Sequence, residues 1–271
     1  LLKQKIRHHK PHLILGLGAD VLEHLLGQKG VLKWRGHPFY SEELGCKIMI
    51  TFEPYAAHTQ SRVHKNQKPG QYTALMHADI KRAAEERKSP DMLLDDPKLI
   101  ISPTYEEAKR YLRLMLDEAK VISYDIEVPK PYTGRLMDCI GLAYRADEGI
   151  CIPFYICNPD NELVRYWRNE QEFYDILTLV QEVMQSNIPK VAQNSQFDTT
   201  MLEKYYGIRT NNLVWDTMVA QHSMYCDLPK DLGTLISLYT NLPYHKYMIH
   251  SASSSDRWLY NAADAVANLC V

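Results

Sequence analysis

Two acidic residues near the middle of the chain have the spacing needed to bind a cation together. Asp125 and Glu127 lie two residues apart at the end of the apolar run VISYDI (121–126). Side chains at i and i+2 of a β-strand point to the same face, so the two carboxylates would project together. Carboxylates in such a run are costly to bury unless a cation compensates them. A strand that simply emerges into solvent explains this pair equally well.

Asp198 and Asp264 are two further candidate ligands. Asp198 closes the stretch NSQFD (194–198), directly after KVAQ (190–193), which is predicted to be a strand. The carboxyl end of a strand that leads into a helix often carries functional polar groups, although an acid there also caps helices. Asp264 follows Tyr260 by four residues, so the two side chains are neighbours if this segment is helical. An exposed helical Asp beside a core Tyr is the plainer interpretation of that pair.

The elements that must position these residues follow from the hydrophobic pattern after residue 100. Thr104 and Glu107 form a capping box, which predicts that a helix starts there. The pattern then predicts strands at 121–126, 137–144, 149–155 and 190–193 and helices at 170–186, 196–206, 216–226, 231–240 and 256–270. Strands that alternate with helices predict a mixed α/β sheet with helices packed on it. The alanines beside Asp264 are small enough to let the last helix approach that sheet closely.

Taken in order, these segments resemble the three exonuclease motifs of the DEDD superfamily. The motifs are D-x-E on a first strand, N-x-x-F-D after a later strand and Y-x-x-x-D on a last helix, and Tyr260 marks the DEDDy branch. The resemblance covers roughly residues 100–271 and is closest to the proofreading 3′→5′ exonuclease domains of phage-type family A DNA polymerases. The stretch 215–240 is similar to the segment that joins the last two motifs in phage members. The implied fold is a ribonuclease H-like mixed sheet flanked by helices, as in DnaQ-like exonucleases.

This resemblance implies a role for each acid. Two ions, Mg²⁺ or Mn²⁺, are expected as the only cofactors, because hard cations prefer carboxylate oxygens. Asp125 is expected to bridge both ions. Glu127 and Asp264 would complete the site of the ion that activates water, and Asp198 would hold the second ion through water. The hydroxyl of Tyr260 would orient the attacking water.

The resemblance also implies a substrate and partners. Asn194 and Phe197 are expected to shape the substrate site or to support the motif. The expected substrate is the 3′ end of single-stranded DNA, whose bases stack on apolar side chains. A polymerase domain later in the full-length protein, or a separate polymerase, would be the partner. Two alternatives stay open. One is an RNase D-type exoribonuclease, which shares the three motifs. The other is a catalytically silent nucleic-acid-binding module, but the presence of all four acids argues against it.

Residues 1–95 are expected to form a separate, smaller α/β segment, and residues 96–271 the exonuclease domain. A polar break with three prolines at 85–103 suggests the boundary. Before it, the pattern predicts strands at 12–18 and 47–52 and helices at 19–26 and 74–88.

This first segment resembles the second half of a uracil-DNA glycosylase-like domain. The resemblance lies in a strand-Gly-helix start at 13–40, the pair Arg35-Gly36, and the stretch 47–62, whose later strand ends in a T-x-H-P-type motif. Glu53 replaces the His of that motif before Pro54, and the half that carries the water-activating loop is absent. We therefore expect no base-excision activity. An unrelated α/β scaffold is the alternative.

Charge and composition indicate which ligands each part of the chain is suited to bind. Residues 1–99 carry 16 Lys/Arg and 11 Asp/Glu, whereas residues 100–271 carry 15 and 22. The basic part is suited to phosphates and the acidic part to cations, although solvated surface charge explains both. The six cysteines have no C-x-x-C spacing, so we expect reduced, mostly buried thiols and no zinc site.

The sequence also gives expectations about the cellular context. The chain has no apolar run of transmembrane length and its first residues are too polar for a signal peptide, which predicts a cytoplasmic protein without membrane contact, in a bacterial host if it is phage-encoded. It does not begin with Met, so we expect a fragment or a processed piece.

Overall fold

The computed structural model describes residues 2–59, 71–129, 136–157, 162–250 and 253–271. The chain forms two compact units. The first consists of Leu1–Asp95 and Tyr225–Tyr244, and the second of Asp96–Met224 and His245–Val271. The sequence also placed a boundary after residue 95, but it assigned residues 225–244 to the exonuclease domain. In the structure this segment packs with the first unit.

The first unit is built around a small sheet. Strand β1 (Leu13–Leu17) runs parallel to β3 (Cys46–Thr51), and β3 is antiparallel to β2 (Pro38–Ser41). The helices of residues 1–95 are α1 (Leu2–His9), α2 (Ala19–Leu26), α3 (Val31–Trp34), α4 (Pro54–Thr59) and α5 (Gln71–Glu86). The strands and helices that the sequence predicts here are confirmed to within three residues. Residues 60–62, the end of the stretch that resembles a glycosylase, lie outside the described residues.

A buried polar cluster explains why residues 225–244 belong to this unit. Arg35 is 1% exposed and forms an ion pair with Asp79, which also accepts a hydrogen bond from Thr51 at 2.5 Å. The remaining side of the guanidinium donates to Ser237 Oγ at 3.0 Å. Because a buried guanidinium left without partners is costly, Ser237 is held in this unit.

The second unit contains the remaining elements, apart from one helix. Its strands are β4 (Lys98–Ile100), β5 (Ile122–Glu127), β6 (Cys139–Arg145), β7 (Glu148–Pro153), β8 (Tyr155–Cys157), β9 (Leu163–Arg165), β10 (Lys190–Ala192) and β11 (Leu213–Asp216). Its helices are α6 (Tyr105–Glu118), α7 (Glu170–Gln185), α8 (Gln196–Tyr206), α9 (Thr217–Met224) and α11 (Ser254–Cys270), with a 3-10 helix at Lys246–His250. Helix α10 (Leu232–Tyr239) belongs to the first unit. The predicted capping box at Thr104 and Glu107 is present at the start of α6.

The central sheet of this unit has the order β11-β10-β5-β6-β7-β4. Strands β5, β6 and β7 form an antiparallel meander, and β10 pairs in parallel with both β5 and β11. The fold is therefore the mixed α/β sheet flanked by helices that the sequence predicts.

The two faces of β5 have opposite character, as the period of two requires. Ile122, Tyr124 and Ile126 are buried in the main core, together with apolar residues of α6 and α7. The alternate residues Asp125 and Glu127 lie on the opposite face, beside α11. The acids are therefore kept out of the aliphatic core.

Helix α11 approaches this second face closely because the face carries very small residues. An added Cβ at Gly141 in β6 would lie 2.4 Å from the carbonyl oxygen of Asn261 in α11. At Gly149 in β7 it would lie 2.6 Å from Val266 Cγ2 and 3.0 Å from the carbonyl oxygen of Ala262. Glycine on the sheet and alanine on the helix thus set the separation between the two elements.

Two further expectations concern the burial of the cysteine thiols and the absence of a transmembrane helix. Cys46, Cys139 and Cys151 are buried and free, but Cys226 is exposed, so burial of the thiols is only partly confirmed. The side chain of Cys157 lies outside the described part. None of the described helices combines the length and the apolar character needed to cross a bilayer.

Candidate active site

Three of the four predicted acids meet on the face of the sheet that α11 covers. Asp125 and Glu127 project from the end of β5, and Asp264 projects from α11. One carboxylate oxygen from each lies within 4.8 Å of those of the other two. This distance is short enough for the three residues to share one cation.

The fourth acid, Asp198, is hydrogen-bonded to the backbone of the same strand, β5. It lies in the first turn of α8 and is 5% exposed. Its Oδ1 accepts a hydrogen bond of 2.8 Å from the amide of Ile126, the residue between Asp125 and Glu127. Asp198 is not part of the three-acid group, but its charge acts on Asp125.

Asp216, which sequence reasoning did not single out, holds the turn that leads into α8. Its carboxylate accepts hydrogen bonds from the amides of Asn194 and Ser195 at 3.1 and 2.8 Å and from Ser195 Oγ at 2.9 Å. Asn194 has a φ of 51°, and these bonds help to hold that left-handed conformation. Asp216 also accepts from the amide of Met218 at the start of α9, so an acid directly before a helix was the available signal.

Asn261 is a second residue that the sequence analysis missed. It is fully buried, and its Nδ2 donates to the backbone oxygen of Asp125 at 3.0 Å and to Asp125 Oδ2 at 2.9 Å. One amide group therefore fixes both the strand and the carboxylate. Its position next to Tyr260 was the only hint in the sequence.

Two basic residues before α11 contact Asp264. His245 Nε2 lies 2.6 Å from Asp264 Oδ1. Lys246 Nζ donates to both oxygens of Asp264, at 2.7 and 2.5 Å, and to Tyr260 Oη at 2.8 Å. The ammonium group also lies 4.4 Å from the centre of the Tyr260 ring. Tyr260 and Asp264 are thus neighbours on α11, as their spacing predicts, and Lys246 bridges them.

The pKa values of the acids are shifted in different directions, upward by burial and mutual repulsion and downward by basic neighbours. Burial raises the pKa of Asp125 well above its usual value, and the charge of Asp264 raises it further. Burial also raises the pKa of Asp198, to about 7, although the bond from Ile126 opposes this. For Asp264, burial works in the same direction, but the charge of Lys246 and the contact with His245 outweigh it and lower the pKa.

The residues present fit a divalent cation. The donors are carboxylate oxygens, which hard divalent ions prefer. Burial and the charges of neighbouring acids raise the pKa of Asp125 and that of Asp198, so the ionised form of both groups is disfavoured in the protein alone. A cation would provide the missing compensation, since nearby positive charge favours the ionised form of a carboxyl group.

Asn194 and Phe197 line a groove beside α8. Gln196, Thr200 and Lys204 complete much of its surface, and its volume is about 400 Å³. Phe197 is 46% exposed. Such an exposed ring is available for stacking, which an aromatic side chain in the core is not.

Comparisons with known proteins identify one family and several solved structures. The 3′-5′ exonuclease family matches residues 100–269. The catalytic core of RRP6 from Trypanosoma brucei is 17% identical, with a TM-score of 0.47 over 64% of this chain and 44% of that one. Escherichia coli RNase D is 13% identical, with a TM-score of 0.45 over 64% and 42%. The chain thus spans less than half the length of these two structures.

A comparison with curated proteins gave no match. The family assignment instead rests on a matched segment that makes up more than half of the chain and contains Asp125, Glu127, Asp198 and Asp264. The chain belongs to the 3′-5′ exonuclease family, whose members are nucleases that hydrolyse nucleic acids from the 3′ end.

Proposed function

We propose that the chain removes nucleotides from the 3′ end of single-stranded DNA with the help of two divalent ions, Mg²⁺ or Mn²⁺. The observation that carries this proposal is the convergence of Asp125, Glu127 and Asp264 within 4.8 Å. Family membership supports the 3′→5′ direction. The similarity of the three motifs and of residues 215–240 to polymerase proofreading domains supports DNA as the substrate and a polymerase, in the same polypeptide or separate, as the partner.

Each acid has a proposed place in the metal site. Asp125, on whose carboxyl group the charges of the other three acids act, would contact both ions. Glu127 and Asp264 would complete the site next to the attacking water, and Asp198 would hold the second ion through water. When bound, the ions would stabilise negative charge on both the attacking and the leaving oxygen. Asn261 keeps the Asp125 carboxylate in place through the bond from its Nδ2.

Tyr260 would orient the attacking water. Burial and the charges of Asp264 and Glu127 raise the pKa of its hydroxyl far above the usual value. The hydroxyl therefore stays protonated, and it would position the water by a hydrogen bond instead of removing a proton from it.

Asn194 and Phe197 would bind the terminal nucleotides. Phe197 offers an exposed aromatic face on which a base can stack, and stacking is worth roughly 1–3 kcal/mol per base. The groove lies along α8, and the first turn of this helix carries Asp198, which is proposed to hold an ion. A strand that lies in the groove would therefore have its end near the acids.

The decisive experiment compares DNA and RNA single strands of one sequence, labelled so that each released nucleotide is seen. We expect release from the DNA 3′ end with Mg²⁺ or Mn²⁺ and none with chelator. Activity that survives chelation, or degradation of a strand with a blocked 3′ end, would contradict the proposal. Faster release from RNA would favour an exoribonuclease with the same site.

For residues 1–95 we propose a glycosylase-derived segment without base-excision activity. Glu53 directly follows Phe52, which stacks on Tyr72 with ring centroids 4.3 Å apart. A negative charge at Glu53 would disfavour a departing uracil anion or a nearby phosphate. DNA that contains uracil should therefore yield no abasic sites above background, and release of free uracil would overturn this.

A further inference from the structure

We propose that Lys246 is the counter-cation of the metal-free active site, and that a divalent ion must displace its ammonium group from Asp264 in order to bind. This inference rests on the proposed metal site. It adds that the protein itself competes with the ion for one of the ligands.

The contacts of Lys246 use its full hydrogen-bonding capacity. An ammonium group has three donors, and Nζ has three acceptors within 2.8 Å, namely Asp264 Oδ1, Asp264 Oδ2 and Tyr260 Oη. The Lys246 side chain is 17% exposed and that of Asp264 5% exposed. Little water is available to weaken the pair, so the contact is strong by the standards of protein ion pairs.

Asp264 has few lone pairs left for a metal ion. An ionised carboxylate offers about four acceptor positions. Lys246 occupies one on each oxygen, and His245 occupies a second on Oδ1. A cation that coordinates Asp264 in this arrangement would meet an ammonium group at the same oxygens. The ammonium must therefore move before coordination is complete.

The charge of Lys246 acts in the same direction as its hydrogen bonds. One positive charge partly compensates several carboxylates when no ion is present, which stabilises the metal-free protein. The same charge repels an incoming divalent ion. Removing it should therefore destabilise the metal-free protein and tighten metal binding, two effects that loss of an ordinary structural contact would not combine.

The test is a Mn²⁺ titration of the full chain without nucleic acid, followed by the electron paramagnetic resonance signal of free Mn²⁺. Lys246→Met keeps the length of the side chain and removes its charge and donors. We expect the Mn²⁺ Kd to fall about 5- to 150-fold, the usual range for two coupled binding events. Lys109→Met, which removes the same charge from the surface of α6, should leave the Kd unchanged. Unchanged or weaker binding by Lys246→Met would overturn the proposal.

A second measurement uses the wild-type chain and does not depend on a variant that folds. Trace acetylation with acetic anhydride, read by peptide mass spectrometry, reports how available each lysine is. Saturating Mn²⁺ should increase the labelling of Lys246 and leave that of Lys109 unchanged. Labelling of Lys246 that stays constant or falls would show that the ammonium is not displaced.

One further variant separates the two proposals. If Asp125→Ala does not weaken Mn²⁺ binding, the proposed metal site itself is wrong. If Asp125→Ala weakens binding but neither Lys246 measurement changes as expected, the metal site stands and only the competition by Lys246 is refuted.

Discussion

Replacing Gly141 with alanine should separate the two halves of the active site. Gly141 lies in β6 directly beneath α11. The acids Asp125 and Glu127 are on the sheet side of this contact, whereas Tyr260 and Asp264 are on the helix side. A methyl group between sheet and helix therefore increases the distance between catalytic groups that it does not touch.

The size of the effect follows from the contact distances. The new Cβ would lie 2.4 Å from the carbonyl oxygen of Asn261 and 2.9 Å from its carbonyl carbon, whereas ordinary contacts of a Cβ begin at 3.4 Å. The obstacle is helix backbone, so α11 must move by about 1 Å. Overpacking of this kind costs about 1–3 kcal/mol of stability, and a misplacement of about 1 Å can cost about 10²-fold in rate.

Single-turnover hydrolysis of a labelled single strand, together with urea denaturation, measures both effects. Gly149→Ala is the matched control, because it also lies under α11 but its closest contact is a side-chain atom, Val266 Cγ2, and the backbone of Ala262 is farther away at 3.0 Å. We expect Gly149→Ala to lose stability with a smaller loss of rate. If Gly141→Ala keeps the wild-type rate and stability, the close approach of α11 does not set the geometry of the site.

Three further substitutions test the proposed roles of single side chains. Asp125→Ala should reduce single-turnover hydrolysis by about 10³-fold, because this carboxylate is assigned to both ions and loss of one charge-stabilising group costs about 10²–10³-fold; near wild-type rate would show that the site is misplaced. Tyr260→Phe should slow hydrolysis roughly 10²- to 10⁴-fold without a large change in Mn²⁺ affinity, and an unchanged rate would refute its role in orienting water. Asp198 has a folded-state pKa of about 7, above the unfolded value of about 3.9, so the folded chain binds the extra proton between these values. The contribution of Asp198 to the free energy of unfolding in chelator should therefore fall as pH rises from about 4 to 7, by at most about 4 kcal/mol. Asp198→Asn keeps the bond to Ile126 and should reduce the slope measured by urea denaturation, and an identical slope would contradict the pKa assignment.

Local sequence signals were sufficient for the elements that carry the acids. Helix α8 was predicted with the bounds it has, because the strand before it and Gly207 after it mark both ends, and Gly207 adopts the left-handed conformation that ends helices. The period of two in β5 correctly separated the core residues from Asp125 and Glu127. By contrast, the three- to four-residue strands β4, β8, β9 and β11 are too short to show a period.

The interactions that complete the site could not be predicted in this way. Asn261 reaches the backbone of Asp125 across 136 residues of sequence, and Lys246 reaches Asp264, which lies 18 residues later in a different helix. No periodicity encodes such pairs. The placement of α10 in the first unit has a similar cause, since an apolar helix face shows that the helix packs on something but does not specify on what.

The first unit consists of two segments that are far apart in the sequence, and this constrains the order in which the chain can fold during its synthesis. Ser237, which accepts a hydrogen bond from Arg35 and offers its backbone oxygen to Arg82 at 3.1 Å, is made about 200 residues after Arg35. A ribosome adds residues from the N-terminus, so every strand of the second unit is made before the first unit receives its last helix. Helix α11, which carries Asp264, emerges later still. Asp264 is thus synthesised after Asp125, Glu127 and Asp198, and the four acids can come together only once both units have been translated.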